Sequence, residues 1–245
     1  MRFARAFALN DLRSIPREPL IIFLLLAPWV YVLALRLVLP VAGEWLMATY
    51  GVSVVDYYPL IMTVYTLPIP LFVGIVYGLL LLDERDDRVF PAIQVTRVSL
   101  EAYMAYRVVA AVCVTIPYSA FYSWATGLVS PRTVLATLPA LALGAVVTVF
   151  TMLSLVAFAS NKVEGLALVK VLGTLVMFGG IVGFFWRSPW QLSLGIIPSY
   201  WPAAAYRLMY QGEPAWGYMT AGSLYGLLVC GALYYLMLRK IRSAV

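Results

Sequence analysis

YYPLIMTVYTLPIPLFVGIVYGLLLL, Tyr57–Leu82, carries no charged side chain, and DERDDR, Asp83–Arg88, follows it without a spacer. A spanning helix needs about 20 apolar residues, and each charge near the bilayer centre costs about 2.5–3.5 kcal/mol on insertion scales. The first stretch therefore reads as a membrane span, and the second marks where the chain leaves the bilayer.

The same test works outward in both directions. Val108–Pro131, Thr133–Asn161 and Pro214–Leu238 are also free of charge over a spanning length. Pro19–Leu39 is interrupted only by Arg36, close enough to its end for the long side chain to snorkel. Val171–Trp186 is short, but it reaches spanning length if Gly165–Lys170 forms its first turns. The expected fold is one all-α membrane domain, residues 1–245, with six transmembrane helices at about 19–40, 58–82, 103–125, 133–159, 166–186 and 215–238. Composition agrees, with 63% hydrophobic and 11% charged residues against roughly a quarter charged in a soluble domain.

Lys and Arg collect in the cytoplasmic connections of membrane proteins. Arg2, Arg5, Arg13 and Arg17 precede the first span, and Arg85, Arg88, Arg97 and Arg107 lie between or just inside spans two and three. Lys162 and Lys170 flank the link between spans four and five, and Arg239, Lys240 and Arg242 close the chain. Only Arg132, Arg187 and Arg207, with Arg36 nearby, fall on the other side. Both termini are expected in the cytoplasm, in a multi-pass protein of the cell inner (plasma) membrane. Trp45, Trp124, Trp186, Trp190, Trp201 and Trp216 all fall at the expected outer ends, as interfacial tryptophans do; Trp29 does not. The net charge of +6 is then a topology signal, and no nucleic-acid partner is expected. Cys113 and Cys230 lie in spans without C-x-x-C spacing and read as small apolar residues.

What is missing narrows the function. With no histidine, the chain cannot supply a Ser-His dyad, an H-E-x-x-H zinc site or a histidine haem ligand. No carboxylate lies inside a span, so an aspartyl hydrolase and a carboxylate proton relay are also disfavoured. There is no G-x-x-x-x-G-K-[ST] loop to hold nucleotide phosphates. The chain is not expected to be an enzyme or to hold a cofactor. If it moves a solute uphill, the energy enters from outside the membrane.

An ATPase on another chain would need a cytoplasmic handle. Asp83 to about Glu101 is too long for a tight turn, and its charges give way to Val89, Phe90, Ile93, Val95 and Val98. The pattern fits a short amphipathic helix started or broken at Pro91. Periodicity alone leaves a solvated loop with interfacial anchors equally open.

Glu84-Arg85, Val95-Thr96-Arg97-Val98-Ser99, then Tyr103 and Arg107 resemble the first cytoplasmic loop of ABC-2 type transporter permeases, with its E-R-E-x-G-T and V-T-P-[VL]-S patterns. Asn161-Lys162-Val163-Glu164-Gly165-Leu166 and Ile197-Pro198-Ser199-Tyr200-Trp201-Pro202 resemble segments at matching positions of drug-export members. Two positions depart: Arg88 stands near a frequent glycine, and Arg97 replaces the usual proline. The resemblance implies the permease subunit of an ATP-binding-cassette exporter. A second permease copy or a sister permease would complete the pathway, and two ABC-type ATPase subunits would bind Mg-ATP. It also implies that Asp83–Glu101 is a coupling helix, with Phe90 and Ile93 seated in the ATPase and Glu84, Arg85, Asp87 and Arg88 orienting it. By the same resemblance spans two and five face the partner, which places Tyr65, Phe72, Tyr77, Met177, Phe178 and Phe184 at the pathway or dimer interface. A charge-poor, aromatic pathway suits a hydrophobic or amphipathic drug or lipid. An ion-driven carrier, a passive channel and a non-transporting scaffold are the alternatives.

Two further elements are expected. Residues 2–17 carry Arg2, Arg5, Arg13 and Arg17 on one helical side and Phe3, Phe7, Leu12 and Ile15 on the other, which suits a helix lying in the headgroups among membrane lipids. Arg187–Glu213 is apolar but interrupted by Pro189, Pro198 and Pro202, which suits a re-entrant extracellular hairpin. Gly74-x-x-x-Gly78, Gly179-x-x-x-Gly183 and Gly222-x-x-x-Gly226 are read first as close packing between helices.

Overall fold

The computed structural model describes residues 19–94, 99–185 and 189–243. The amphipathic helix expected at 2–17 and the Val95–Val98 part of the loop lie outside them. All regular structure among the described residues is helical: α1 (Pro19–Tyr50), α2 (Tyr58–Thr66), α3 (Pro68–Asp86), α4 (Val89–Gln94), α5 (Leu100–Ala125), α6 (Pro131–Leu143), α7 (Ala145–Phe158), α8 (Lys162–Phe185), α9 (Tyr200–Tyr210) and α10 (Trp216–Ser243), with 3-10 turns at Val54–Tyr57 and Pro189–Ile196. Six of the resulting rods are long and apolar enough to cross a membrane, with α2–α3 and α6–α7 each counting as one.

The two split rods owe their breaks to local chemistry. Pro68 and Pro70 have no N–H to give the carbonyls one turn back, so span two kinks at Leu67 while its backbone stays helical. Span four divides at Gly144, whose N–H reaches back to both Ala140 and Leu141. These two rods form the centre of the bundle. In each, 72% of the spanning window is buried, against 22–33% for the other four.

Close approach at the centre requires glycine. A Cβ on Gly74 would stand 2.6 Å from the Thr148 carbonyl oxygen, and one on Gly78 would stand 2.6 Å from Leu155 Cδ1. Gly222 packs on Trp201 and Leu143, and Gly226 on Val146. These repeats are therefore used inside the chain, as the packing reading has it.

Three helices begin on side-chain caps. Ser99 Oγ accepts from Ala102 N–H at 3.2 Å and Ser130 Oγ from Thr133 N–H at 3.1 Å. At α8, Asn161 Oδ1 accepts from Glu164 N–H at 2.9 Å while Glu164 Oε2 reaches back to Ser160 N–H at 2.7 Å. This reciprocal cap starts α8 at Lys162, four residues before the expected 166. It also gives the Asn161–Leu166 motif a structural meaning.

At the other extreme, α1 runs ten residues past its expected end at 40. Pro40 does not stop it; Gly51 does, at φ +65° with its N–H on the Met47 carbonyl. Its 32 residues make a rod of about 48 Å at ~1.5 Å per residue, longer than the ~30 Å hydrocarbon core.

Candidate functional site

The charged run that ends span two is largely consumed inside the chain. Asp83 Oδ2 pairs with Lys162 Nζ at 2.7 Å, and Asp86 Oδ2 accepts from the Lys162 backbone N–H at 3.1 Å, at the positive end of the α8 dipole. Glu84 forms a hydrogen-bonded ion pair with Arg107, which is only 2% exposed. Arg107 also donates to the Tyr103 hydroxyl at 2.9 Å, with its guanidinium 5.3 Å from that ring's centroid. Arg85 donates to the carbonyls of Ala159 at 2.8 Å and Val156 at 2.9 Å, and Lys240 to those of Ala157 at 3.0 Å and Ala159 at 2.9 Å. Two cations from distant helices thus satisfy the last carbonyls of α7.

Three of the segments in which the basic residues collect meet at one end of the bundle. The link between spans two and three, the link between four and five, and the end of span six are joined there by named polar contacts.

Of the residues assigned to coupling, Glu84 and Arg85 make the bonds just described. Phe90 is 2% and Ile93 7% exposed, and both belong to one buried cluster with Leu81, Leu100, Met104 and Met237. The amphipathic helix exists, but its apolar face is seated in its own bundle. What α4 and the preceding turn leave exposed is Asp86, Asp87, Arg88, Pro91 and Ala92. Arg88 has φ +56°, a left-handed conformation that suits glycine. Arg88 thus departs from the resemblance at a turn whose backbone glycine would adopt more readily.

Of the residues assigned to the pathway, Tyr65, Phe72 and Met177 come together. With Tyr31, Pro68 and Leu71 they line a cleft of about 270 Å3 between α1, the α2–α3 rod and α8. The Tyr31 and Tyr65 rings meet edge to face, 6.0 Å apart. Tyr77 packs elsewhere, towards the α5 side; Phe178 stands half exposed outside the cleft; the Phe184 side chain lies outside the described set. A larger apolar groove, about 870 Å3, lies over α6 and α7 between α5 and α10 and includes Val112, Val146, Cys230 and Tyr234. It shares no lining residue with the cleft and joins none of the sequence-selected residues. The cleft is therefore the better candidate.

Two features escaped the sequence reading. The first is Glu84 as the partner of Arg107, although Tyr103 and Arg107 stand at the i, i+4 spacing that shares a helix face. The second is a row of hydroxyls on α5: Thr115, Ser119 and Ser123 recur every fourth residue and are all buried. Thr115 Oγ1 meets Thr148 Oγ1 at 2.9 Å, and Thr148 donates to the Pro70 carbonyl at 3.0 Å, which ties α5 and α7 to the kink in span two.

Residues 11–234 match the family model described as "Fluoroquinolones export permease protein Rv2686c-like". Two curated relatives, the fluoroquinolones export permease proteins Rv2686c and MT2760 of Mycobacterium tuberculosis strains H37Rv and CDC 1551, are each 32% identical over 243 residues. That alignment covers 99% of this chain and 95% of each relative. No solved structure matches the chain.

Proposed function

The chain belongs to the Rv2686c-like fluoroquinolones export permease family, and from that premise we propose that it is the membrane half of an ATP-driven drug exporter. Two permease copies, or this chain and a sister permease, enclose the pathway, and two ATPase subunits bind Mg-ATP beneath them. The charged end of the bundle faces the cytosol, with both termini. The 3-10 turn at Pro189–Ile196 and α9 dip into the outer leaflet as a re-entrant hairpin. The cargo is a planar, amphipathic aromatic drug of the kind named for the relatives, taken against Tyr31, Tyr65 and Phe72 in the cleft.

The observation that carries this reading is the bonded charged end. Asp83, Glu84, Arg85, Lys162 and Lys240 tie the α3–α4 corner to α5, α7, α8 and α10. A push on such a corner moves several spans together, which is what a soluble motor requires of its handle. Phe90 and Ile93 serve coupling by holding α4 rigidly on the bundle, and Glu84 and Arg85 by anchoring its start. Asp87 and Arg88, with Pro91 and Ala92, form the surface that meets the ATPase. Charge reversal at Asp87 and Arg88 together slows docking most at low salt, since exposed pairs are screened within about 8–10 Å at physiological ionic strength.

The test is co-purification of the cognate ATPase with the wild-type chain and with the Asp87→Lys, Arg88→Glu double variant. Capture by the wild type and weaker, salt-dependent capture by the variant are expected. An ATPase that never associates would favour an ion-driven carrier or channel instead.

A further inference from the structure

The two helix breaks meet at a small, largely apolar cavity into which a few polar side chains reach. It measures about 20 Å3 and is lined by Thr66 and Pro70 from the kink in span two, Leu141 and Gly144 from the break in span four, Ser119 from α5 and Tyr206 from α9. Its size is informative, because one water needs about 10–15 Å3 by this measure and two polar partners or more. The space admits one water molecule and nothing larger.

Ser119 points to the same occupant. Thr115, one turn earlier on the same face, has the carbonyl of Ala111 at 2.8 Å and the Thr148 hydroxyl at 2.9 Å. Ser119 has no such partner among the described residues: its Oγ is buried, in a residue 2% exposed, with no hydrogen bond to any of them. A buried hydroxyl left unpaired costs about 1–3 kcal/mol. Across the cavity, Pro70 has no N–H to give the Thr66 carbonyl. Thr66 Oγ1 already donates to the Thr63 carbonyl at 3.0 Å and keeps lone pairs free to accept.

We propose that a single water molecule is bound here, accepting from Ser119 Oγ and donating to the oxygens of Thr66. It replaces the hydrogen bond that Pro70 removes. A bare monovalent cation is the poorer occupant, since among the cavity's lining residues there is no carboxylate to offset its charge. The water joins the two central rods at their breaks through bonds that can lengthen and re-form, where direct packing would fix them. The site is thus a wet pivot between the halves of spans two and four.

X-ray footprinting of the full-length protein in lipid nanodiscs tests this, because radiolysis of a bound water oxidises the side chains beside it even when they are buried. Tyr206, 1% exposed, and Pro70 should be oxidised several-fold faster than Met152, which is 0% exposed, lies on the neighbouring α7 and is intrinsically more reactive. Ser119→Val, which fills the cavity and removes the hydroxyl, should bring Tyr206 down to the Met152 level. Tyr206 and Pro70 reacting no faster than Met152 in the wild type would show a dry cavity and overturn the proposal. That comparison decides the matter even if Ser119→Val fails to fold.

Discussion

Arg107 lies almost wholly buried at the first turns of α5 and is held by the carboxylate of Glu84, at the last turn of α3. The pair clamps the two ends of the loop that carries α4. Removing one partner of a buried pair leaves the other charge uncompensated, at about 3–5 kcal/mol, whereas replacing both by apolar groups is often neutral. Arg107→Met should therefore lower the melting temperature sharply, and Glu84→Leu with Arg107→Met should recover most of the loss. Thermal unfolding monitored by size-exclusion chromatography in detergent measures both.

Arg88 supplies a test with the opposite sign. A non-glycine residue at φ +56° pays roughly 1–2 kcal/mol, offset in part by glycine's greater freedom in the unfolded chain. Arg88→Gly should raise stability by about 0.5–1 kcal/mol and Arg88→Val should lower it. Thermal shift gives the stability. ATPase capture should fall with Arg88→Gly although the protein is more stable, separating fold from docking.

The glycines of the central rods should differ from those at the periphery. A Cβ at Gly74 meets backbone at 2.6 Å, while one at Gly231 meets nothing within 4 Å. Overpacking of this kind costs about 1–3 kcal/mol, so Gly74→Ala should reduce the folded yield. Gly231→Ala should stay within about 0.5 kcal/mol of wild type.

Transport should distinguish the cleft from the lipid face. Each aromatic ring lost from the cleft forfeits about 0.5–1.5 kcal/mol of stacking, roughly a two- to tenfold loss of affinity. Tyr65→Ala and Phe72→Ala should raise the KM for a planar aromatic substrate in vesicles containing the ATPase, and Phe178→Ala should change it little. Equal effects at all three positions would remove the cleft as the binding site.

Side-specific labelling checks the orientation. After Cys113 and Cys230 are replaced by alanine, a cysteine at Asp87 should react only from the cytosol and one at Glu213 only from outside. Both positions are exposed. Labelling with the sides exchanged would invert the topology.

The spans were legible because the bilayer imposes a length and forbids charge, two constraints that a sequence displays directly. Pro68 and Pro70 announced the kink in span two. The break at Gly144 was less visible, since a single glycine inside a helical run is tolerated and does not by itself mark a helix end. The amphipathic character of α4 was also legible, but not its partner: Phe90 and Ile93 would look the same seated in another chain or in this one. Glu84 and Arg107 are 23 residues apart, and their pairing follows only once spans two and three run antiparallel. The hydroxyl row on α5 could have been found from its fourfold spacing, which a search for carboxylates passes over.

The shared carbonyl of Ala159 bears on how the protein is made. Arg85 is already synthesised when α7 enters the bilayer, so one of its two cationic caps is waiting. Lys240 leaves the ribosome about eighty residues later, at about 5–20 residues per second. For those seconds the nascent chain holds four spans and then five, with an incomplete charged end and the carbonyl of Ala157 still awaiting its donor. The final helix thus closes the protein as well as extending it.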